Sequence, residues 1–238
     1  MKQIPLAISP QPAQSFDSLL VGPNAQAVQH LRSLALPAPP VYLWGPTGSG
    51  KTHLLRALAE HRMSLGEQVG WFDADDALPW TLEGGWSLVI VDGCDRLDAD
   101  HQQAAFALFV EAGTQGVQWA AAGRVPPVDL PVRDDLLTRL GWGHVFSVQA
   151  LAEAETRAVL RREADRRGIF LSDEVMGHLL TRFQRDLKHL MGLLDHLDKF
   201  ALAEQREVTV PLLKKMLAEA PLQDHDMTSP HAAPAHSE

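Results

Sequence analysis

Two hydrophobic patterns divide the chain near residue 150. Before that point short apolar runs alternate with stretches of helical spacing. Val41-Tyr42-Leu43-Trp44, Val69-Gly70-Trp71-Phe72-Asp73, Ser87-Leu88-Val89-Ile90-Val91-Asp92, Val117-Gln118-Trp119-Ala120-Ala121-Ala122 and His144-Val145-Phe146-Ser147-Val148 each read as a strand. Helices are expected over about 25–35, from His53 through Ala59, around 99–112 and over 134–140. Asn24 stands where an N-cap belongs, and Pro37, Pro39 and Pro40 end the first helix. Residues 75–86 carry only weak helical signal. From Leu151 onward strand-like runs vanish, and helical spacing recurs over about 152–167, 173–183, 185–204 and 211–220. Gly168 suits the end of the first of these, Ser172 and Thr209 suit caps, and Pro211 suits a first turn. The pattern predicts an α/β domain with a five-stranded parallel sheet over 15–150 and a small all-helical domain over 151–220. An extended terminus (1–14) and a polar, disordered tail (221–238) flank them.

The candidate chemistry starts between the first strand and its helix. Gly45-Pro46-Thr47-Gly48-Ser49-Gly50-Lys51-Thr52 fits G-x-x-x-x-G-K-[ST], the phosphate-cradling P-loop, in the strand–loop–helix context that the motif requires. Its glycines let backbone N–H groups turn toward an anion, and the helix N-terminus adds its positive dipole end. Lys51 would reach the β and γ phosphates, and Thr52 would hold Mg²⁺ through its hydroxyl. Asp92, ending the most apolar run, fits the aspartate that orients the Mg²⁺ shell in P-loop ATPases. The next residue is Gly93, where many such ATPases place an acid that polarises the attacking water. Ala122, ending the fourth strand, stands where a polar residue often senses the γ-phosphate. Own hydrolysis is therefore expected to be slow or absent. Cys94 reads as a small buried residue. Arg139 fits a solvated helix-end charge, yet its place just before the last strand of a nucleotide-binding sheet favours a role in trans.

Composition narrows the partners. The net charge is −9, from 21 basic and 30 acidic residues, which argues against strong direct DNA binding. A single cysteine in 238 residues fits a reducing cytoplasm, and no apolar run approaches membrane-spanning length. None of the eleven histidines pairs with Cys, Asp or Glu at metal-ligand spacing. Gln3-Ile4-Pro5-Leu6-Ala7-Ile8 allows two readings: a frayed end draped on the core, or an extended peptide for a partner's groove.

Several stretches together resemble the AAA+ module of the bacterial replication initiator DnaA. They are Phe16-Asp17-Ser18-Leu19-Leu20-Val21-Gly22-Pro23-Asn24, the P-loop with His53-Leu54-Leu55, and Asp134-Asp135-Leu136-Leu137-Thr138-Arg139-Leu140-Gly141-Trp142-Gly143. The helical domain is similar to that family's lid, and the resemblance spans about residues 15–220. The initiator's DNA-binding domain and its N-terminal helicase-contact domain are expected to be missing, as in the DnaA-homologous Hda regulators, which promote hydrolysis of initiator-bound ATP. The resemblance implies that Phe16, Leu20 and Val21 border the adenine. Pro46, Thr47, Gly48, Ser49, Gly50, Lys51, Thr52 and His53 would surround the phosphates, and Thr52 and Asp92 would serve the Mg²⁺ shell. Lys188 falls where the lid usually offers an arginine to the phosphates; it keeps the charge and loses the bidentate fork. Arg139 would be an arginine finger in trans. Gln3, Ile4, Leu6 and Ile8 would bind the DNA polymerase III β sliding clamp. The implied ligands are ADP, or ATP, with Mg²⁺, and the implied partners are DnaA, the clamp and a further copy in a homo-oligomer. Two alternatives remain: a loader or motor that hydrolyses its own ATP, and a nucleotide-dependent scaffold.

Overall fold

The computed structural model describes residues 15–182 and 187–219. Five parallel strands form one sheet: β1 (Val41–Trp44), β2 (Gln68–Phe72), β3 (Trp86–Val91), β4 (Gln118–Gly123) and β5 (His144–Ser147), in the order β2-β3-β4-β1-β5. The apolar runs are continuous because both faces of the inner strands are covered. Alternate residues feed the two layers. Val41, Leu43, Leu88, Ile90, Ala120 and Ala122 pack with α1 (Ala25–Arg32) and α2 (Lys51–Ser64) through Leu31, Leu54, Leu55 and Leu58. Tyr42, Val89, Val91, Trp119 and Ala121 face the other way, onto Leu108 and Phe109 of α3 (Ala99–Gln115) and Leu136 and Leu140 of α4 (Asp134–Gly141).

The helical domain contains α5 (Glu153–Arg166), α6 (Asp173–Arg182), α7 (Leu187–Glu204) and α8 (Val210–Glu219). Leu160, Leu179, Leu190, Leu194, Leu197, Leu213 and Met216 make its separate core. The N–H groups of Val175 and Leu212 donate to the hydroxyls of Ser172 (3.3 Å) and Thr209 (3.4 Å), so both expected caps form. Gly168 follows the end of α5 at φ 72°.

Two local expectations are corrected. The first helix ends at Arg32, three residues short, and Asn24 does not cap it with its side chain. Instead the Asn24 amide donates to the Gln149 carbonyl (2.9 Å) and accepts the Gln149 N–H (2.8 Å), fastening the start of α1 to the link between the domains. The Gln149 N–H takes the Asn24 Oδ1 that an N-cap would offer to the helix N–H groups. Among the described residues no helix is long and apolar enough to cross a membrane.

Candidate nucleotide site and the exposed arginine of α4

The P-loop leaves the inner strand β1 and runs into α2, whose first residue is Lys51. Gly45 packs so tightly that a Cβ there would lie 2.1 Å from the Val148 carbonyl oxygen. Only glycine lets the loop turn under the end of β5. Lys51 Nζ donates to the carbonyls of Gly45 (2.8 Å) and Pro46 (2.9 Å). Thr52 Oγ1 donates to Asp92 Oδ2 at 2.6 Å, so the loop hydroxyl and the carboxylate after β3 meet. Pro46 and Thr47 are exposed, and Gly48 and Gly50 are half-buried. Ser49 Oγ is buried without a hydrogen-bond partner among the described residues. A buried hydroxyl without a partner is costly. Its presence in this loop, with a helix N-terminus and a lysine alongside, fits a polyphosphate, and the Thr52–Asp92 pair fits the oxygen ligands that Mg²⁺ takes.

The next residue takes the chain away from that pair. Gly93 adopts φ 69°, ψ 43°, a left-handed conformation that L-residues enter at a cost of roughly 1–2 kcal/mol. A Cβ there would also sit 2.9 Å from Arg96 Nε. The missing acid is thus built into the backbone as well as the side chain. After this turn Asp95 accepts the Arg124 N–H (2.9 Å) and lies 2.5 Å from Arg124 Nε, bridging the ends of β3 and β4. Asp95 is thereby engaged at the β4 end. Ala122 is fully buried in the layer with α1 and α2. Cys94 is buried, and burial pushes its thiol pKa up, so it stays a protonated core group.

The segment over residues 15–24 links the P-loop helix to the lid. Phe16 is buried in the core, edge-on to His61, with the Arg32 guanidinium over its ring at 5.4 Å. Leu20 and Val21 are half-buried, and Val21 packs against the same core. His53 Nε2 lies 3.3 Å from Ser18 Oγ and 3.4 Å from the Ser15 carbonyl. Arg162 of α5 donates to the Ser18 carbonyl. Burial lowers the His53 pKa below its usual 6.5; the Ser15 carbonyl opposes this, and the Arg162 and Arg56 charges add to the lowering. A chain of contacts therefore runs from the residue after Thr52, through Ser18, to the lid. Sequence reading missed Ser18, Arg162 and Gln149, because nothing local distinguishes them from surface residues.

Arg139 lies in the last turn of α4, exposed, its guanidinium making no hydrogen bond or ion pair among the described residues. Arg133, one residue before the same helix, is tied to Gln103 and to Asp135 (2.7 Å). Lys188 lies in the first turn of α7, but its side chain is outside the described ones. Gln3, Ile4, Leu6 and Ile8 lie outside the described residues.

A parallel sheet with the P-loop after its inner strand β1, an aspartate ending the most apolar strand and a helical lid define an AAA+ module. Comparisons with known proteins agree. Residues 153–217 match the family model for the Hda lid domain. An uncharacterised protein of Haemophilus influenzae is 29% identical over 233 residues, covering 91% of this chain and 98% of its own length. Domain III of the Thermotoga maritima replication initiation protein DnaA superposes with a TM-score of 0.74 at 18% identity, covering 89% of this chain and 98% of that one. AMPPCP-bound DnaA from Aquifex aeolicus gives 0.64 at 20% identity, covering 82% and 67%. Residues 153–217 thus match an Hda-type lid, and the chain as a whole has the AAA+ fold seen in DnaA domain III.

Proposed function

We propose that this protein is a negative regulator of replication initiation that, holding ADP itself, promotes hydrolysis of ATP bound to the initiator DnaA by supplying Arg139 in trans. The observation that carries the reading is the Arg139 guanidinium: exposed and without a partner among the described residues, where other arginines nearby are engaged. Phosphoryl transfer spreads negative charge over the γ-phosphate oxygens, and an arginine arriving from outside stabilises it.

The chain's own pocket has the complementary role. Lys51 and the N-terminus of α2 hold the phosphates, and Thr52 and Asp92 hold the Mg²⁺ shell, with Phe16, Leu20 and Val21 toward the base. Bound Mg²⁺ supplies charge neutralisation between the phosphates. With glycine at 93 and alanine at 122, no side chain at either position can orient water or sense the γ-phosphate, so retention is favoured over turnover. The contacts from His53 through Ser18 to Arg162 let the bound nucleotide set the lid position, and the lid sets how α4 is presented. Residues 3–8 tether the protein to the sliding clamp, which raises effective concentration without a strong direct interface.

Arg139→Ala, assayed with initiator, clamp and labelled ATP, should lower stimulated hydrolysis about 10³-fold; undiminished hydrolysis refutes the finger. Gln3→Ala combined with Leu6→Ala should abolish clamp retention, and unchanged retention refutes the tether.

A further inference from the structure

Glycine at 93 leaves a space, and Arg96 fills it. A Cβ on residue 93 would lie 2.9 Å from Arg96 Nε, 3.1 Å from Nη2 and 3.4 Å from Cζ. The guanidinium therefore covers the side-chain face of the residue that follows Asp92. Two links hold it there. The Arg96 N–H donates to the Gly93 carbonyl (2.8 Å), closing the turn Cys94–Arg96, and Arg96 Nη1 donates to Asp75 Oδ2 (3.1 Å). Asp75 belongs to the turn after β2. Its N–H donates to Asp73 Oδ1 (2.8 Å), and the Asp73 N–H donates to Asp76 Oδ2 (2.7 Å). Phe72 and Val91 are paired in the sheet, and the Asp92 N–H donates to the Phe72 carbonyl (2.9 Å). Asp73 and Asp92 thus leave adjacent parallel strands side by side, and Arg96 spans from the end of β3 to the turn after β2.

An exposed arginine–carboxylate pair is ordinary and contributes little to stability. Arg96 differs in what it faces. Asp92 is the carboxylate bonded to Thr52, and the two fit the oxygen ligands of Mg²⁺. The hydrogen bond to Asp75 raises the Arg96 pKa above its ordinary value; partial burial opposes this, and the charges of Asp75, Asp73 and Asp92 add to the rise. The guanidinium is thus a fixed positive charge in the field of the metal-shell carboxylate. It has donors only and stays protonated in proteins, so it neither takes a proton from water nor ligates a cation. What it does is cancel negative charge that would otherwise attract a divalent ion.

We infer that Arg96 is a built-in counter-ion of the metal shell: it offsets the Asp73, Asp75 and Asp92 carboxylates, weakens Mg²⁺ at Thr52 and Asp92, and lets the chain keep a nucleoside diphosphate whether or not Mg²⁺ is present. The inference deepens the reading that the pocket holds ADP, and rests on it. ADP carries one phosphate fewer than ATP, so Lys51 and the N-terminus of α2 supply more of the positive charge it needs. Arg96 is a positioning residue, acting on the site through Asp92.

The test uses the full-length protein stripped of nucleotide. Calorimetry gives its ADP affinity in excess Mg²⁺ and in excess EDTA, and electron paramagnetic resonance follows Mn²⁺ binding to the nucleotide-free protein. For the wild type the two ADP affinities should agree within about threefold. Arg96→Gln should separate them at least about tenfold, with Mg²⁺ the tighter condition, and should tighten Mn²⁺ binding by a similar factor. Arg96→Lys should behave as the wild type, because it keeps the charge; a merely structural role would not be rescued in this way. Adding Asp92→Asn to Arg96→Gln should erase the Mn²⁺ gain. Only an exposed ion pair is lost at Arg96, so the variants there should fold, which an unchanged melting temperature checks. A wild type whose ADP affinity already depends about tenfold on Mg²⁺ overturns the inference. So does an Arg96→Gln protein with an unchanged Mg²⁺ dependence or an unchanged Mn²⁺ affinity, or an Arg96→Lys protein that behaves like Arg96→Gln. If the wild type binds no ADP, the pocket reading fails, and the Mn²⁺ arm still decides whether Arg96 weakens the metal.

Discussion

The P-loop and the end of α4 both carry cationic side chains, and the two regions treat them in opposite ways. In the cradle Lys51 bonds two carbonyls, Thr52 bonds Asp92, and Arg124 is tied to Asp95. At the end of α4, the Arg139 guanidinium makes no hydrogen bond or ion pair among the described residues, and Trp142, one turn on, is exposed too. Exposed ion pairs contribute little to stability, so leaving Arg139 unpaired costs the fold almost nothing while keeping it available. On the proposed reading, one region holds an anion and the other offers a cation.

The sharpest way to break that contrast acts on α4. Arg139→Lys keeps the charge but loses the planar fork, and stimulated hydrolysis should fall at least about a hundredfold while this chain's own ADP affinity, read by calorimetry, stays unchanged. In the cradle, Lys51→Ala should weaken ADP binding about thirtyfold through loss of charge-assisted hydrogen bonds. Stimulation should fall with it, because the lid loses its nucleotide cue. Gly93→Glu puts an acid where other P-loop ATPases carry one, but on a left-handed backbone. It should cost roughly 1–2 kcal/mol in denaturant unfolding without producing brisk ATP turnover by the isolated chain. Turnover rising to that of ordinary AAA+ ATPases would mean the side chain alone, and not the turn, had been limiting.

The smallest effect concerns pH. Burial depresses the His53 pKa below 6.5, so the folded protein refuses a proton that the unfolded chain accepts. The associated stability is present above pH 6.5 and is lost as pH falls toward the folded value. His30, lowered by burial and by neighbouring His144, acts in the same direction. His101, raised by its hydrogen bond to Asp98, acts in the opposite one. His53→Gln should therefore flatten the decline below pH 6.5 without abolishing it, as unfolding midpoints measured from pH 7 to pH 5 would record.

The strands and helices were legible because their apolar periodicity reflects burial directly. Leu136 and Leu140 face the core, and Val89 and Ile90 face opposite layers, as a period of two requires. The P-loop and Asp92 were legible because their residue types and spacing follow from phosphate and metal chemistry. Asn24 misled because its amide found a tertiary partner, Gln149, far away in sequence. The left-handed turn at Gly93 was hidden for a related reason: glycine permits that conformation without announcing it. Exposure at Trp142 was equally invisible, since an apolar residue beside a helix end is buried in most folds.

The most direct measurement places the label. Radiolabelled ATP is bound either to this protein or to the initiator, the two are mixed, and the fate of the γ-phosphate is followed through one turnover. Label carried on the initiator should be released, and release should depend on Arg139, while label carried on this protein should persist uncleaved. Rapid cleavage of the label on this protein, with the initiator's label intact, would contradict the division of labour between the two regions.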